Sequence, residues 1–138
     1  MKARRAADAG CTFETRALGA TFADADAVIV QLPVPTGMNQ KEACDAIPLE
    51  KDADVLSSLA RAKFEMKDLR NPSLLPPVVG AVREIFMRYN VEPKGKNAVV
   101  IGNGWLVGNP CARWLAQRGA TVSVLTSESG DLRSCATP

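Results

Sequence analysis

Histidine is missing altogether from the 138 residues. Its absence removes Ser–His and Cys–His nucleophile pairs and any histidine-ligated metal, and it leaves acid–base work to Lys, Asp, Glu, Tyr or Cys. Cysteines are few and scattered: Cys11, Cys44, Cys111 and Cys135 make no C-x-x-C pair. Neither a zinc site nor a disulfide framework is expected, and no metal centre is assigned. Reduced thiols in a cytoplasmic protein are the simplest account. Apolar runs last only a few residues and none opens the chain, so no membrane span or secretory signal is expected. Charge of one sign is also lacking. With 17 basic and 15 acidic residues and no long run of either, no electrostatic argument points to nucleic acid or an anionic membrane as a partner. The basic group Lys2, Arg4 and Arg5 reads most simply as a solvated helix face.

What remains is a globular composition, 46% apolar, with room for one ordinary domain or two very small ones. Lys2 to Ala9 is rich in helix formers and Gly10 stands at a capping position, predicting a short helix. "CTFETRAL" alternates apolar and polar residues and predicts a strand. Val28 to Leu32, a mostly β-branched run, predicts a strand buried on both faces. Asn39 is a plausible N-cap for a helix that ends before Pro48, and "PLEKDADV" then reads as a charged loop. The signal from Val55 to Phe64 is mixed, and prolines make Lys67 to Pro77 irregular. Val78, Val82, Ile85, Phe86 and Tyr89 share one stripe of a long amphipathic helix, with Pro77 tolerated in its first turn. "VEPKGK" follows as a connector. "NAVVIG" reads as a buried strand, and with a glycine-punctuated turn, "NPCARWLAQRGA" and "TVSVLT" it makes one βαβ unit, expected to be parallel and right-handed. The expected fold is therefore α/β: a small N-terminal α/β domain over 1–77, a bridging helix and connector over 78–95, and a partial Rossmann-like nucleotide-binding unit over 96–138.

Two stretches carry chemistry. In "GNGWLVGNP", Gly102, Gly104 and Gly108 are spaced G-x-G-x-x-x-G between a strand and a helix. Glycines there permit a tight turn and close approach of a pyrophosphate to backbone N–H groups, at the end of a helix whose dipole favours negative charge. The plain alternative is a strand-to-helix turn that merely needs small residues. Where an NAD site usually has an acidic residue for the ribose hydroxyls, this sequence has Leu125, Thr126 and Ser127, which leans toward NADP with NAD possible. In "AVIVQLPVP" a lone Gln31 is framed by Pro33 and Pro35, each of which locks its own φ. Taken singly, Gln31 could be a strand-end amide satisfied by neighbouring backbone. Asp52 and Asp54 could form a solvated loop, and Lys2 could be a surface helix residue.

Together these motifs resemble, in the same order, the methylenetetrahydrofolate dehydrogenase/cyclohydrolase family. "VIVQLPVP" is similar to its V-Q-L-P-L-P signature, "IPLEKDADV" to its I-x-P-x-K-D-V-D-G loop, with Val55 where glycine ends the family pattern, and "GNGWLVGNP" to its G-x-S-x-x-V-G-x-P nucleotide loop. "KARRAADAG" resembles the helix that carries the family's catalytic lysine eight residues before a glycine, which points to Lys2. The resemblance implies a cleft between two α/β units. NADP-dependent oxidation of methylene-tetrahydrofolate to methenyl-tetrahydrofolate is expected there, followed by hydrolysis to formyl-tetrahydrofolate. It implies Lys2, Gln31 and Asp54 as catalytic residues. Gln31, Leu32, Pro33 and Asp54 would contact the folate, with Asp54 grasping the pterin's amino-pyrimidine edge. Gly102, Asn103, Gly104, Trp105, Leu106, Val107, Gly108, Asn109, Thr126 and Ser127 would contact the cofactor. A homodimer with a folate substrate is expected, and the chain reads as a shortened or incomplete member of the family. The second reading is a non-catalytic nucleotide-binding or assembly protein derived from that family.

Overall fold

The computed structural model describes residues 2–66 and 74–129. Its elements run α1 (Lys2–Asp8), α2 (Gln40–Asp45), a single 3-10 turn (Leu49–Lys51), α3 (Ser58–Glu65), α4 (Pro77–Arg88), β1 (Asn97–Ile101), α5 (Gly108–Gln117) and β2 (Thr121–Leu125). The two strands pair in parallel, in a register that runs from Asn97 opposite Thr121 to Ile101 opposite Leu125. With α5 as the crossover, this is the βαβ unit expected from the sequence. The predicted irregular stretch Lys67 to Pro77 falls largely outside the described residues.

One apolar cluster joins α3, α4 and α5: Ala60 and Phe64, Val79, and Trp114 and Leu115, together with Val55 from the loop ahead of α3. Val78, Val82 and Phe86 pack against it from α4, and the Phe86 ring meets Trp114 edge-on at 5.7 Å, a favoured aromatic geometry. The buried stripe of α4 is narrower than its sequence pattern. Ile85 and Tyr89 are exposed, because α5 is the helix that packs on α4 and residues at the margin of the stripe turn away from it. A second cluster, Val30, Cys44, Ile47 and Leu56, anchors α2 and the segment leading to Gln31.

Three expectations about strands are corrected. Cys11 to Leu18 is exposed and unpaired, and carries no strand. Arg16 organises this region instead, binding Glu14, Asp24 and the Thr21 carbonyl. Val28 to Leu32 is not a strand buried on both faces. It makes one parallel bridge, Val28 opposite Asp52, in which the Val28 N–H donates to the Lys51 carbonyl at 2.7 Å and the Ala53 N–H to the Val28 carbonyl at 3.3 Å. Pro33 and Pro35 lack N–H donors and end any ladder just beyond it. β1 is covered on one face alone. Val99 is 47% exposed and Ile101 72%, since α5 packs on the opposite side.

The loop "KDADV" is organised by Asp52, which is only 5% exposed and so departs from the solvated-loop reading. Its two carboxylate oxygens accept the N–H groups of Leu56 at 3.1 Å and Ser57 at 2.8 Å. Ser57 then caps α3, accepting the Ala60 N–H at 3.2 Å. Asp45 adds a tie from α2, accepting the Ser58 N–H at 2.6 Å. Replacing Asp52 by Asn leaves one acceptor oxygen for two buried donors. Asp52→Asn should therefore lower stability by about 1–3 kcal/mol, read from the midpoint shift in urea unfolding at unchanged slope; a shift near zero would contradict the clamp.

Candidate functional site

The glycine turn follows directly from β1. Gly102 has φ +95°, a left-handed conformation suited to glycine, and its N–H donates to the Leu125 carbonyl at 2.6 Å, tying the turn to the end of β2. A Cβ on Gly108 would run into the Gly102 carbonyl, so the third glycine is required by close approach. Gly104 has no neighbour within 4 Å of where a Cβ would stand, leaving open space above the turn. The Gly104 carbonyl accepts the N–H groups of Asn109 at 3.0 Å and Val107 at 3.3 Å. Among the described residues, the amides of Gly104, Trp105, Leu106 and Gly108 carry no hydrogen bond. Free amides at the start of α5, an open approach and the positive end of the helix dipole fit a pyrophosphate. Beyond β2 the Thr126 N–H donates to Ser129 Oγ at 2.8 Å, and Ser127 is exposed.

One residue at this turn has no clear signal in the sequence. Arg61 of α3 donates to the Trp105 carbonyl at 3.2 Å and to Asn109 Oδ1 at 3.4 Å, with its guanidinium 4.8 Å from the centre of the Trp105 ring. It came from the mixed stretch Val55 to Phe64, where no periodicity singled it out. An open cleft of about 440 Å³ lies alongside, bordered by Gln40, Lys41, Leu56, Ser58, Arg61, Ala62, Glu65 and Trp105. A second, of about 230 Å³, is bordered by Ala27, Leu49, Glu50, Lys51, Asp52, Ala53 and Leu74.

The residues expected to face the folate are only partly brought together. Lys2 is exposed at the start of α1, near enough that its charge acts on Asp54. Asp54 is half-buried, and burial pushes its carboxyl above the ordinary 3.8, with Lys2 opposing and Asp52 reinforcing the rise. Gln31 turns its amide onto its own loop, donating to the Leu32 carbonyl at 2.7 Å, which is the bland alternative for that residue. Leu32 packs against the second cluster and Pro33 is exposed. Neither Gln31 nor Asp54 borders the cleft beside Trp105. Val55 has φ +56°. A β-branched residue thus occupies a left-handed turn at the position where the family pattern has glycine.

Residues 76–137 match the family profile described as tetrahydrofolate dehydrogenase/cyclohydrolase, NAD(P)-binding domain. Over residues 76–137 the chain belongs to this family. It is 39% identical over 102 residues to the bifunctional protein FolD 3, chloroplastic, of Arabidopsis thaliana, covering 74% of this chain and 33% of that protein. It is 36% identical over 106 residues to the bifunctional protein FolD of Lactococcus lactis, covering 77% of this chain and 36% of that one. Among solved structures, the Trypanosoma brucei methylenetetrahydrofolate dehydrogenase-cyclohydrolase complexed with NADP cofactor and inhibitor superposes with a TM-score of 0.69 at 36% identity, covering 76% of this chain and 35% of that one. The Thermoplasma acidophilum enzyme, at 22% identity, covers 97% of this chain and 52% of that one with a TM-score of 0.74, a likeness of fold. The chain spans about a third of the length of the curated relatives it matches.

The raised pKa of Asp54 sets the sign of a pH effect. A carboxyl whose folded pKa lies above its unfolded value favours folding while protonated in both states, and that contribution is lost as pH rises through the folded value. At neutral pH the ionised group is then a net cost. Asp54→Asn should raise the melting temperature at pH 7, and the advantage should shrink as pH falls toward and below 3.8. A variant less stable than the parent at pH 7 would refute this account of the group.

Proposed function

We propose that this chain carries the nucleotide-binding and part of the folate-binding chemistry of a methylenetetrahydrofolate dehydrogenase/cyclohydrolase. Residues 1–77 would face the folate, 78–95 would bridge, and 96–138 would hold the cofactor. The observation that carries this reading is the turn itself: Gly108 closed against Gly102, with free amides at the start of α5. Gly102 to Asn109 would hold the dinucleotide's phosphates, and Thr126 and Ser127, beyond β2, its adenosine ribose. NADP is the better fit to a strand end without a carboxylate at Leu125 to Ser127. When bound, the nicotinamide ring supplies the hydride acceptor for methylene-tetrahydrofolate.

On the folate side, a carboxylate at Asp54 can accept two N–H groups of the pterin, and its partial burial shields that contact from water. Lys2 would take a proton from the attacking water during ring opening. Gln31 would orient the lysine or folate once its amide leaves the Leu32 carbonyl. Three described cysteines, Cys11, Cys44 and Cys111, are free, and we place the chain in the cytoplasm. Among the described residues no helix is long and apolar enough to cross a membrane. A homodimer belongs to the same reading.

NADP reduction that depends on methylene-tetrahydrofolate is the expected result with the purified chain. Lys2→Ala should lower methenyl hydrolysis by at least about a hundredfold, the size of a general acid–base contribution, with hydride transfer retained. Saturable NADP binding without turnover would favour the non-catalytic alternative, to which the inward-turned amide of Gln31 lends support. No binding of NADP or NAD would overturn the nucleotide assignment.

A further inference from the structure

Among the described residues, the seam between α3 and α5 leaves one positive charge without a matching negative one. Glu65, one turn beyond Arg61 on α3, forms its ion pair with Arg113 of α5, at 3.3 Å. Arg113 also donates to Asn109 Oδ1 at 3.3 Å, the atom that Arg61 reaches. Arg61 itself has no carboxylate partner among the described residues. Its hydrogen bonds go to the Trp105 carbonyl and the Asn109 amide oxygen, and both are neutral. Two guanidiniums and one carboxylate therefore meet at the start of α5, an excess of one positive charge. That charge is half-buried, and burial pulls the guanidinium below its ordinary proton affinity, against the opposing effect of Glu65. A partly desolvated, unpaired cation is costly unless an anion arrives to match it.

The turn beneath it offers the geometry for that anion but no charge. From Gly102 to Pro110 there is no lysine or arginine, so the backbone amides and the helix dipole, worth about half an elementary charge, would face a pyrophosphate unaided. Arg61 enters from a different element, with its guanidinium 4.8 Å from the centre of the ring of Trp105, one of the residues whose amide is free. The indole keeps it from collapsing onto the helix, since the guanidinium is held at the ring face, and its remaining N–H groups can turn to a ligand.

We propose that Arg61 is the cation that binds the pyrophosphate of a dinucleotide cofactor at the Gly102 to Gly108 turn, supplied in this chain from α3 rather than from the turn. The assignment rests on the nucleotide reading above and names a residue that reading does not include. Because a pyrophosphate is common to both nicotinamide cofactors, Arg61 strengthens the binding of each equally and does not discriminate the ribose 2′-phosphate. Trp105 stands at the same spot. Its indole is 38% exposed whereas Trp114, the chain's other tryptophan, is 4% exposed, so a change in fluorescence on binding reports on the site.

The test is titration of the full chain with NADP, NAD and inorganic pyrophosphate, followed by tryptophan fluorescence and calorimetry, for the parent, Arg61→Gln and Arg61→Lys. Melting temperatures are recorded to separate folding from binding. Loss of one charge-assisted contact should weaken NADP and NAD alike in Arg61→Gln by roughly tenfold or more. Arg61→Lys, which keeps the charge but not the planar fork, should fall between, and pyrophosphate should compete with either cofactor in the parent but poorly in Arg61→Gln. Equal affinities in parent and folded Arg61→Gln would overturn the assignment and leave the nucleotide reading intact. Weakening confined to NADP would overturn it in favour of a 2′-phosphate contact, and tighter binding by Arg61→Gln would show that the arginine blocks the turn. Absence of cofactor binding by the parent would instead remove the nucleotide reading on which the assignment stands.

Discussion

The buried carboxylate of Asp52 is the contact on which the rest of the N-terminal half depends. Its backbone forms the single bridge to Val28, and its side chain holds the N–H groups of Leu56 and Ser57. Without that clamp the segment carrying Gln31 has no sheet partner among the described residues, and α3 loses the turn that aims it. The clamp also sets two different environments within one short loop. Asp52 is engaged by two backbone donors, whereas Asp54, two residues on, accepts no hydrogen bond among the described residues, and burial pushes its carboxyl above the ordinary value. Two carboxylates in one loop thus take a structural and a chemical character from their surroundings.

From α3 the consequence reaches the glycine turn. Phe64 and Ala60 put one face of α3 into the cluster with Val79, Trp114 and Leu115, and that leaves Arg61 and Glu65 facing α5. Gln117 closes the far end of the seam, donating to the carbonyls of Phe64 and Glu65 at 3.0 and 3.2 Å. The turn at Gly102 to Gly108 therefore has two supports: the Leu125 carbonyl, which fixes its strand side, and the α3 seam, which fixes its outer side.

Much of this was legible in the residues. Glycine spacing between an apolar strand and an amphipathic helix marked the βαβ unit because each feature is local, and the cap at Asn39, the stop at Gly10 and the proline start of α4 were readable for the same reason. The strands of the N-terminal half were not. Alternation at Cys11 to Leu18 and the apolar run at Val28 to Leu32 describe side chains that could line a sheet, but a strand needs a neighbour, and pairing is set by tertiary context that propensity does not contain. The site divides along the same line. The turn's residues were readable from spacing, whereas Arg61 acts from 44 residues away from Trp105, and the retreat of Gln31 onto its own backbone is a choice of side-chain conformation.

Val55 shows how such a fold absorbs a misfit. A β-branched residue at φ +56° carries strain of about 1–3 kcal/mol, and glycine would relieve it. Yet its side chain is almost wholly buried in the main cluster beside Ala60, Phe64 and Val79, and burial of a valine contributes about 1.5–3 kcal/mol. The two magnitudes nearly cancel, so valine can hold a left-handed turn at little net cost, provided that something else dictates the backbone. Asp52 does so from three residues back, its carboxylate fixing the two amides that follow Val55. The turn's shape is thus set by the clamp, and the residue within it is free to serve the core.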